Sequence, residues 1–371
     1  DTITDPFTPT LGFNRVDGGD LGLRFSHTAL KRFGVSLSGA YRTESRDWAY
    51  GAGVDYRWNF HGQVSAGVDC HDGTVARVPS QVYHEKLLEA LALAGRKDYQ
   101  DYHRSVHRGV HIEYTPQKPD ATFALRFVSE RHSSLEKAID YAVFDRDFIR
   151  RPNPPVAEGR LRSLAFSALY GDRYPVPFGL GPVRRASFEL EAASPHALGG
   201  DFSFTRASCR IDWRFETFFR RRLMPNTLDI RFVGGYMNGD ALPQRFGMLD
   251  GTLGVFDPFG TFRTLEDLPV EGPRYAAVFW EHNFRTVPFE LAGLGWLAEK
   301  GIGVIVHGAA GRTWIKRGDL AGLGYTSRFQ DGLRSEIGIS VNGIFGVVRL
   351  DATKRLDAKG LYTGAGLARL F

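Results

Sequence analysis

The last stretch of the sequence, Leu361 to Phe371, alternates with a period of two. Phe371, Leu367 and Ala365 fall on one side, and Leu370, Ala368, Gly366 and Gly364 on the other. Successive side chains of a strand point to opposite faces, so this period assigns every residue a face. Arg369 shares the side of Phe371, where its stem can lie on apolar surface while the guanidinium reaches a polar rim. The same period recurs upstream. Trp48, Tyr50, Ala52, Val54 and Tyr56 oppose Ala49, Gly51, Gly53, Asp55 and Arg57. Phe123, Leu125 and Phe127 oppose Thr122, Ala124 and Arg126; Cys209, Ile211 and Trp213 oppose Ser208, Arg210 and Asp212. Leu333, Ser335, Ile337, Ile339 and Val341 oppose Arg334, Glu336, Gly338, Ser340 and Asn342.

A soluble sandwich alternates as well, with its apolar side turned inward. Here the runs are often ten residues or longer, the length of a tilted bilayer crossing, and Trp and Tyr stand near their ends as interfacial girdles do. No apolar stretch approaches the ~18 residues of a membrane helix. The 43 Gly, 28 Phe and 14 Tyr suit many strands joined by tight turns. The chain therefore reads as all-β: a transmembrane antiparallel β-barrel, one domain over 1–371, either a whole protein or the C-terminal part of a longer one. Asp1 reads as a processed or trimmed start. Net charge is +5, but the arginines are spread along strands rather than gathered in a stripe, so nucleic acid is not the expected partner. Outer-membrane lipids are. Cys70 and Cys209 both take outward positions, and nothing suggests that they pair.

Fifteen strands are clear, near 20–28, 33–43, 46–58, 62–72, 107–116, 119–131, 159–170, 184–195, 200–219, 225–236, 273–286, 301–315, 331–343, 344–354 and 361–371. A weaker one near 8–16 makes about sixteen, an even count as bacterial single-chain barrels require. With Phe371 at the periplasmic end, the long connections 72–107, 131–159, 237–272 and 316–330 lie outside the cell. Most of the others are short, as at 59–61 and a tight turn at Gly343–Ile344; 171–183 and 287–300 are the exceptions. Connection 72–107 predicts a helix capped by Ser80, with Val82, Leu87, Leu88 and Leu91 on one stripe, lying over the barrel mouth or on the surface. Connection 237–272, with Gly251, Gly254 and Gly260, is expected to fold into the lumen.

Three motifs go further. They are Phe13-Asn14-Arg15-Val16-Asp17-Gly18 with Leu21-Gly22; Phe262-Arg263-Thr264-Leu265 with Pro273-Arg274-Tyr275 and Glu281-His282-Asn283-Phe284; and His307-Gly308-Ala309-Ala310-Gly311-Arg312. These resemble the BamA/TamA superfamily of outer-membrane assembly barrels. They most resemble its uncharacterised Bacteroidota-type branch, whose members often carry N-terminal carboxypeptidase-regulatory-like domains. The resemblance spans nearly the whole chain. It implies that the long loop enters the lumen and that an arginine at its tip meets acidic and aromatic residues of the wall. Here Arg263 precedes Thr264 where the family has Gly, and the other candidate reads Arg245-Phe246-Gly247. The family's acidic residue on the Gly-rich strand is replaced by Ala309 and Ala310. Phe262, Arg263, Arg245 and Phe246 are thus the loop candidates, and Glu281 or Glu336 the wall carboxylate.

No catalytic, metal or cofactor site is expected. His103, His107 and His111 are spaced by four, but the helix should end before Gly109 and His111 should begin a strand. No phosphate loop and no nucleophile elbow occur. Inward carboxylates such as Asp55, Asp69, Glu113, Glu189, Glu191, Asp212, Asp229 and Asp351 interleave with Arg24, Arg42, Arg57, Arg126, Arg210, Arg231 and Arg349, a ladder of mutually neutralising charges. By resemblance, the barrel sits in the bacterial outer membrane and helps to insert or export outer-membrane or surface proteins, with accessory lipoproteins or periplasmic domains as further partners. Its working part is a weak seam between the segment near 8–28 and 361–371, softened by Gly364 and Gly366, with Leu367 and Phe371 as the C-terminal signal. The alternatives are a passive channel with an Arg-rich lumen, and a barrel that anchors an attached N-terminal domain.

Overall fold

The computed structural model describes residues 7–30, 32–145, 147–171, 183–218, 225–254, 257–266 and 268–368. Sixteen strands form one antiparallel sheet in chain order. They are β1 (Phe7–Asn14), β2 (Gly18–Ala29), β3 (Phe33–Arg42), β4 (Trp48–Asn59), β5 (Gly62–Ala76), β6 (Tyr102–Pro116), β7 (Ala121–Ser134), β8 (Gly159–Gly171), β9 (Arg184–Ala193), β10 (Phe204–Glu216) and β11 (Thr227–Gly239), then β14 (Arg274–Arg285), β15 (Gly303–Trp314), β16 (Arg334–Ile344), β17 (Val348–Arg355) and β18 (Leu361–Leu367). Two short strands, β12 (Gly247–Leu249) and β13 (Val270–Gly272), pair with each other inside the β11–β14 connection. Phe371 of the expected C-terminal signal, Arg369 before it, and most of the expected connection 171–183 lie outside the described residues.

The faces follow the alternation. On β16, Ile337 and Ile339 are 43% and 52% exposed, while Glu336 and Ser340, which flank them, are 4% and 1% exposed. Trp48, Tyr50, Val54 and Tyr56 of β4 and Phe123, Leu125 and Phe127 of β7 are likewise exposed. An outer surface this apolar around an inner wall of buried charge inverts a soluble protein, and suits lipid outside. The two cysteines are free on the outward face.

The connections sort by rim. One rim carries α1 (Glu85–Leu93), the β7–β8 connection, α2 (Pro195–Leu198), the β11–β14 connection, and α5 (Arg317–Ala321) between β15 and β16. Among the described residues, the other has tight turns between β2 and β3, β4 and β5, β6 and β7, and β16 and β17, and carries α3 (Val287–Leu291) and α4 (Gly295–Glu299) between β14 and β15.

Three expectations need correction. The β16–β17 turn lies at Phe345–Gly346 rather than Gly343–Ile344: both residues have positive φ (51° and 78°), and the Val347 amide donates to the Ile344 carbonyl across them. β6 starts at Tyr102 rather than near 107, paired with a β5 prolonged to Ala76, so His103, His107 and His111 share one strand face instead of spanning a helix end. The helix is capped by His84, whose ring accepts from the Lys86 amide. Ser80 instead accepts from the Val82 and Tyr83 amides in a turn ahead of the helix and donates to Asp250.

Candidate functional site

The β11–β14 connection turns into the space that the sheet encloses. Its partners lie on β7, β9, β11 and β14 to β18, which requires a sheet rolled around it. Close approach is built in. A Cβ on Gly247 would lie 1.7 Å from the Tyr275 ring, and one on Gly260 (φ +105°) 2.1 Å from the Arg231 guanidinium.

At its tip, Arg263 is buried against four strands. Nη2 donates to Glu281 Oε1 of β14 at 2.7 Å and Nη1 to Asp351 Oδ1 of β17 at 2.8 Å. His307 Nε2 of β15 lies 2.6 Å from Nη1, and Thr353 and Ser340 orient its ring. Glu336 of β16 accepts from the Arg263 amide (2.8 Å), the Thr264 amide (3.0 Å) and the Thr264 hydroxyl (2.7 Å). Arg349 completes the cluster on Asp351 and Glu281. Carboxylates on both sides of each guanidinium compensate for its loss of water. Phe262, 1% exposed, meets the Phe279 ring edge-on at 5.0 Å within an apolar cluster that includes Val233, Leu249, Tyr275 and Ala309.

Arg245 and Phe246 are elsewhere. Arg245 anchors the start of the loop on the far wall, paired with Glu130 of β7 and Glu191 of β9. Burial alone would lower its pKa; the Glu191 and Glu130 carboxylates outweigh that and raise it. Gln244 beside it exchanges hydrogen bonds with the Ala157 backbone. Phe246 is buried. The structure therefore brings Phe262, Arg263, Glu281 and Glu336 together and gives Arg245 a separate anchor. It adds Asp351, His307, Arg349, Thr264 and Arg334, whose guanidinium donates to the Thr264 hydroxyl at 2.9 Å, all of which sequence reading left out of the lock. Gly364 faces inward beneath Tyr362, whose hydroxyl a Cβ there would meet at 2.3 Å. Gly366 faces inward and Leu367 outward.

Neighbouring connections roof the loop. Asp250 accepts from the Ser80 hydroxyl (2.8 Å), the Gln81 amide (3.1 Å) and the Tyr99 hydroxyl (3.0 Å). Burial pushes its carboxyl up to about 6 despite those bonds. Tyr83, Leu88 and Tyr99 share an apolar cluster with Met248 and Leu253 of the loop. The opening motif explains itself here. The Asn14 side chain accepts from the Val16 and Asp17 amides, Gly18 takes φ +70°, and the turn presents Arg15 to Asp98 (2.8 Å), Asp101 (2.6 Å) and Asn153 (3.0 Å). Burial would raise Asp101, but Arg151, Arg77 and Arg15 outweigh it and hold the carboxyl at about 2.

Asp69, His71 and His107 place donor atoms within 4.8 Å of one another. The His71 and His107 rings stack nearly parallel at 4.6 Å, so they do not aim lone pairs at one point, and His107 is bracketed by Asp69 and Glu130.

No protein-family model matches the chain, and no curated protein does. Among solved structures, BamA from Haemophilus ducreyi lacking POTRA domains 1-3 aligns with TM-score 0.51 and 11% identity, over 98% of this chain and 70% of that one. The chain has a BamA-like barrel fold. CdiB from Acinetobacter baumannii (TM-score 0.44, 12% identity, 98% of this chain and 60% of that one) and CdiB from Escherichia coli (0.41, 10%, 99% and 63%) align more loosely. The BamA-like fold supplies the wall; the buried Arg263 cluster is read from this chain's own residues.

Proposed function

We propose that this chain is an outer-membrane barrel of the BamA/TamA kind that assists insertion or export of outer-membrane or surface proteins through the seam between β1 and β18. The observation that carries the reading is the inward loop tied by Arg263 to Glu281, Asp351 and Glu336. A loop anchored on two walls and roofed by neighbouring connections fills the space that a passive channel keeps open. The apolar outer face supports placement in the outer membrane, and lipid and client proteins are then the partners, with accessory lipoproteins or periplasmic domains beyond them. The three sequence motifs favour the Bacteroidota-type branch with carboxypeptidase-regulatory-like N-terminal domains. The protein catalyses no covalent reaction on this reading; its inward carboxylates serve arginines, histidines and backbone amides.

The test is reconstitution into liposomes with a chaperone-held, unfolded barrel client. Faster appearance of heat-modifiable, folded client than in empty liposomes supports the reading. No acceleration, together with large steady conductance across a planar bilayer, replaces it with the channel.

A further inference from the structure

The two end strands of the sheet are each held from inside by chain from elsewhere in the sequence. On the β1 side stands α1. Lys86 Nζ donates to the backbone carbonyl of Leu11 at 2.8 Å and pairs with Glu89 at 2.8 Å. Gly12 faces the helix: a Cβ there would lie 3.4 Å from Glu89 Oε2 and 3.5 Å from Lys86 Nζ. Pro9 stands opposite Leu23 of β2 and has no amide hydrogen to give a ladder, so its backbone position suits the side of β1 away from β2. Leu11 is in phase with Pro9, which puts the carbonyl taken by Lys86 on that same edge. On the β18 side, the Tyr362 hydroxyl donates to Asp257 Oδ2 at 2.6 Å and lies 3.3 Å from the Thr252 hydroxyl. Between them, Leu88 of α1 and Leu253 of the inward loop belong to one apolar cluster. The helix that holds β1 and the loop segment that holds β18 thus share one apolar cluster.

We propose that α1 is a latch on the first strand: Lys86 occupies an edge carbonyl that an extended polypeptide must take to add itself to β1, and the edge becomes available only when α1 withdraws. Strand addition relies on main-chain hydrogen bonds to such an edge. A charged amine on the carbonyl competes with the incoming amide and is the stronger donor. The inward loop sets the latch, because Leu253 belongs to the apolar cluster that buries Leu88 while Thr252 and Asp257 hold β18. The inference rests on the seam reading above and names its control.

The test uses the full chain in liposomes, with Cys70→Ser and Cys209→Ser, a photo-crosslinking benzoylphenylalanine in place of Leu11, and heat-modifiable migration as the folding check. The probe is a synthetic peptide with the sequence of residues 361–371. Lys86→Met should raise peptide capture roughly tenfold, the size expected of one charge-assisted hydrogen bond, and Lys86→Arg should not. A reducible bismaleimide joining Gly12→Cys to Glu89→Cys should cut capture to background, and reductant should restore it. Equal capture with the helix tethered and freed overturns the latch and leaves the seam reading standing. A chain whose 85–93 segment is replaced by Gly-Ser residues, folded yet capturing no peptide, overturns the seam reading and the latch with it.

Discussion

Arg263 and Glu281 are eighteen residues apart in sequence and lie on opposite sides of the boundary between loop and wall, joined at 2.7 Å with each side chain 3% exposed. Removing Arg263 leaves Glu281 and Asp351 to share Arg349, so the loss falls short of the about 3–5 kcal/mol of a buried charge left with no partner. Arg263→Ala should therefore release the loop tip without unfolding the sheet, whose strands pair independently of it. Limited proteolysis checks this. Cleavage within 250–266 should appear in the variant, while heat-modifiable migration of the barrel persists.

Outward and inward positions on β16 should respond to different assays. Ile337→Arg or Ile339→Arg places a charge on the lipid side and should destabilise the inserted form by roughly 2–4 kcal/mol near the bilayer midplane. Glu336→Gln should leave insertion unchanged but loosen the loop, because Glu336 accepts from Arg263 and Thr264. Urea unfolding in liposomes reads the first effect and proteolysis of the loop the second. Insertion damage from Glu336→Gln equal to that from Ile337→Arg would reverse the face assignment.

Asp250 gives a pH dependence with a definite sign. It lies in the connection, outside the crossing strands, and its carboxyl rises from 3.8 to about 6 when buried. A raised carboxyl contributes fully below about pH 4, where both the docked and undocked forms are protonated. Docking then weakens as pH climbs from about 4 to 6, and is flat above that. The span amounts to about 3 kcal/mol. Hydrogen exchange of the 80–101 segment should accelerate across that window, and Asp250→Asn should abolish the step.

The strands and their faces were legible because lipid outside and charge inside impose a period of two on nearly every crossing. The signal fades where strands outrun the apolar belt. The upper half of β6 carries Arg104 and Arg108 outward, with Arg104 paired to Asp72 and Asp47, so no apolar alternation marks residues 102–106 as strand. The lock was half legible. Arg263, Phe262, Glu281 and Glu336 lay in recognisable local surroundings. His307 and Asp351 entered through register: Glu281 stands opposite His307, and Ser340 opposite Asp351. Register depends on turn geometry and bulges several residues away, and a single sequence does not display it. The helix cap was misplaced for a similar reason, since the true role of Ser80 depends on Asp250, a residue 170 positions away.

The loop's two anchors make a final prediction about the pore. Arg245 holds its entry on Glu130 and Glu191, and Arg263 holds its tip on Glu281 and Asp351. Each anchor keeps the loop inside while the other is broken, so their losses should couple rather than add. Wild-type protein in a planar bilayer should be closed. Arg245→Ala and Arg263→Ala should each give brief openings, and the double variant should give long, large ones, exceeding the sum of the single open probabilities. His132 and Gln244 beside Arg245 remain in place in all variants, so the roofing connection over the entry should stay folded. Steady large conductance in the wild type, unchanged by both substitutions, would show that the loop does not close the lumen.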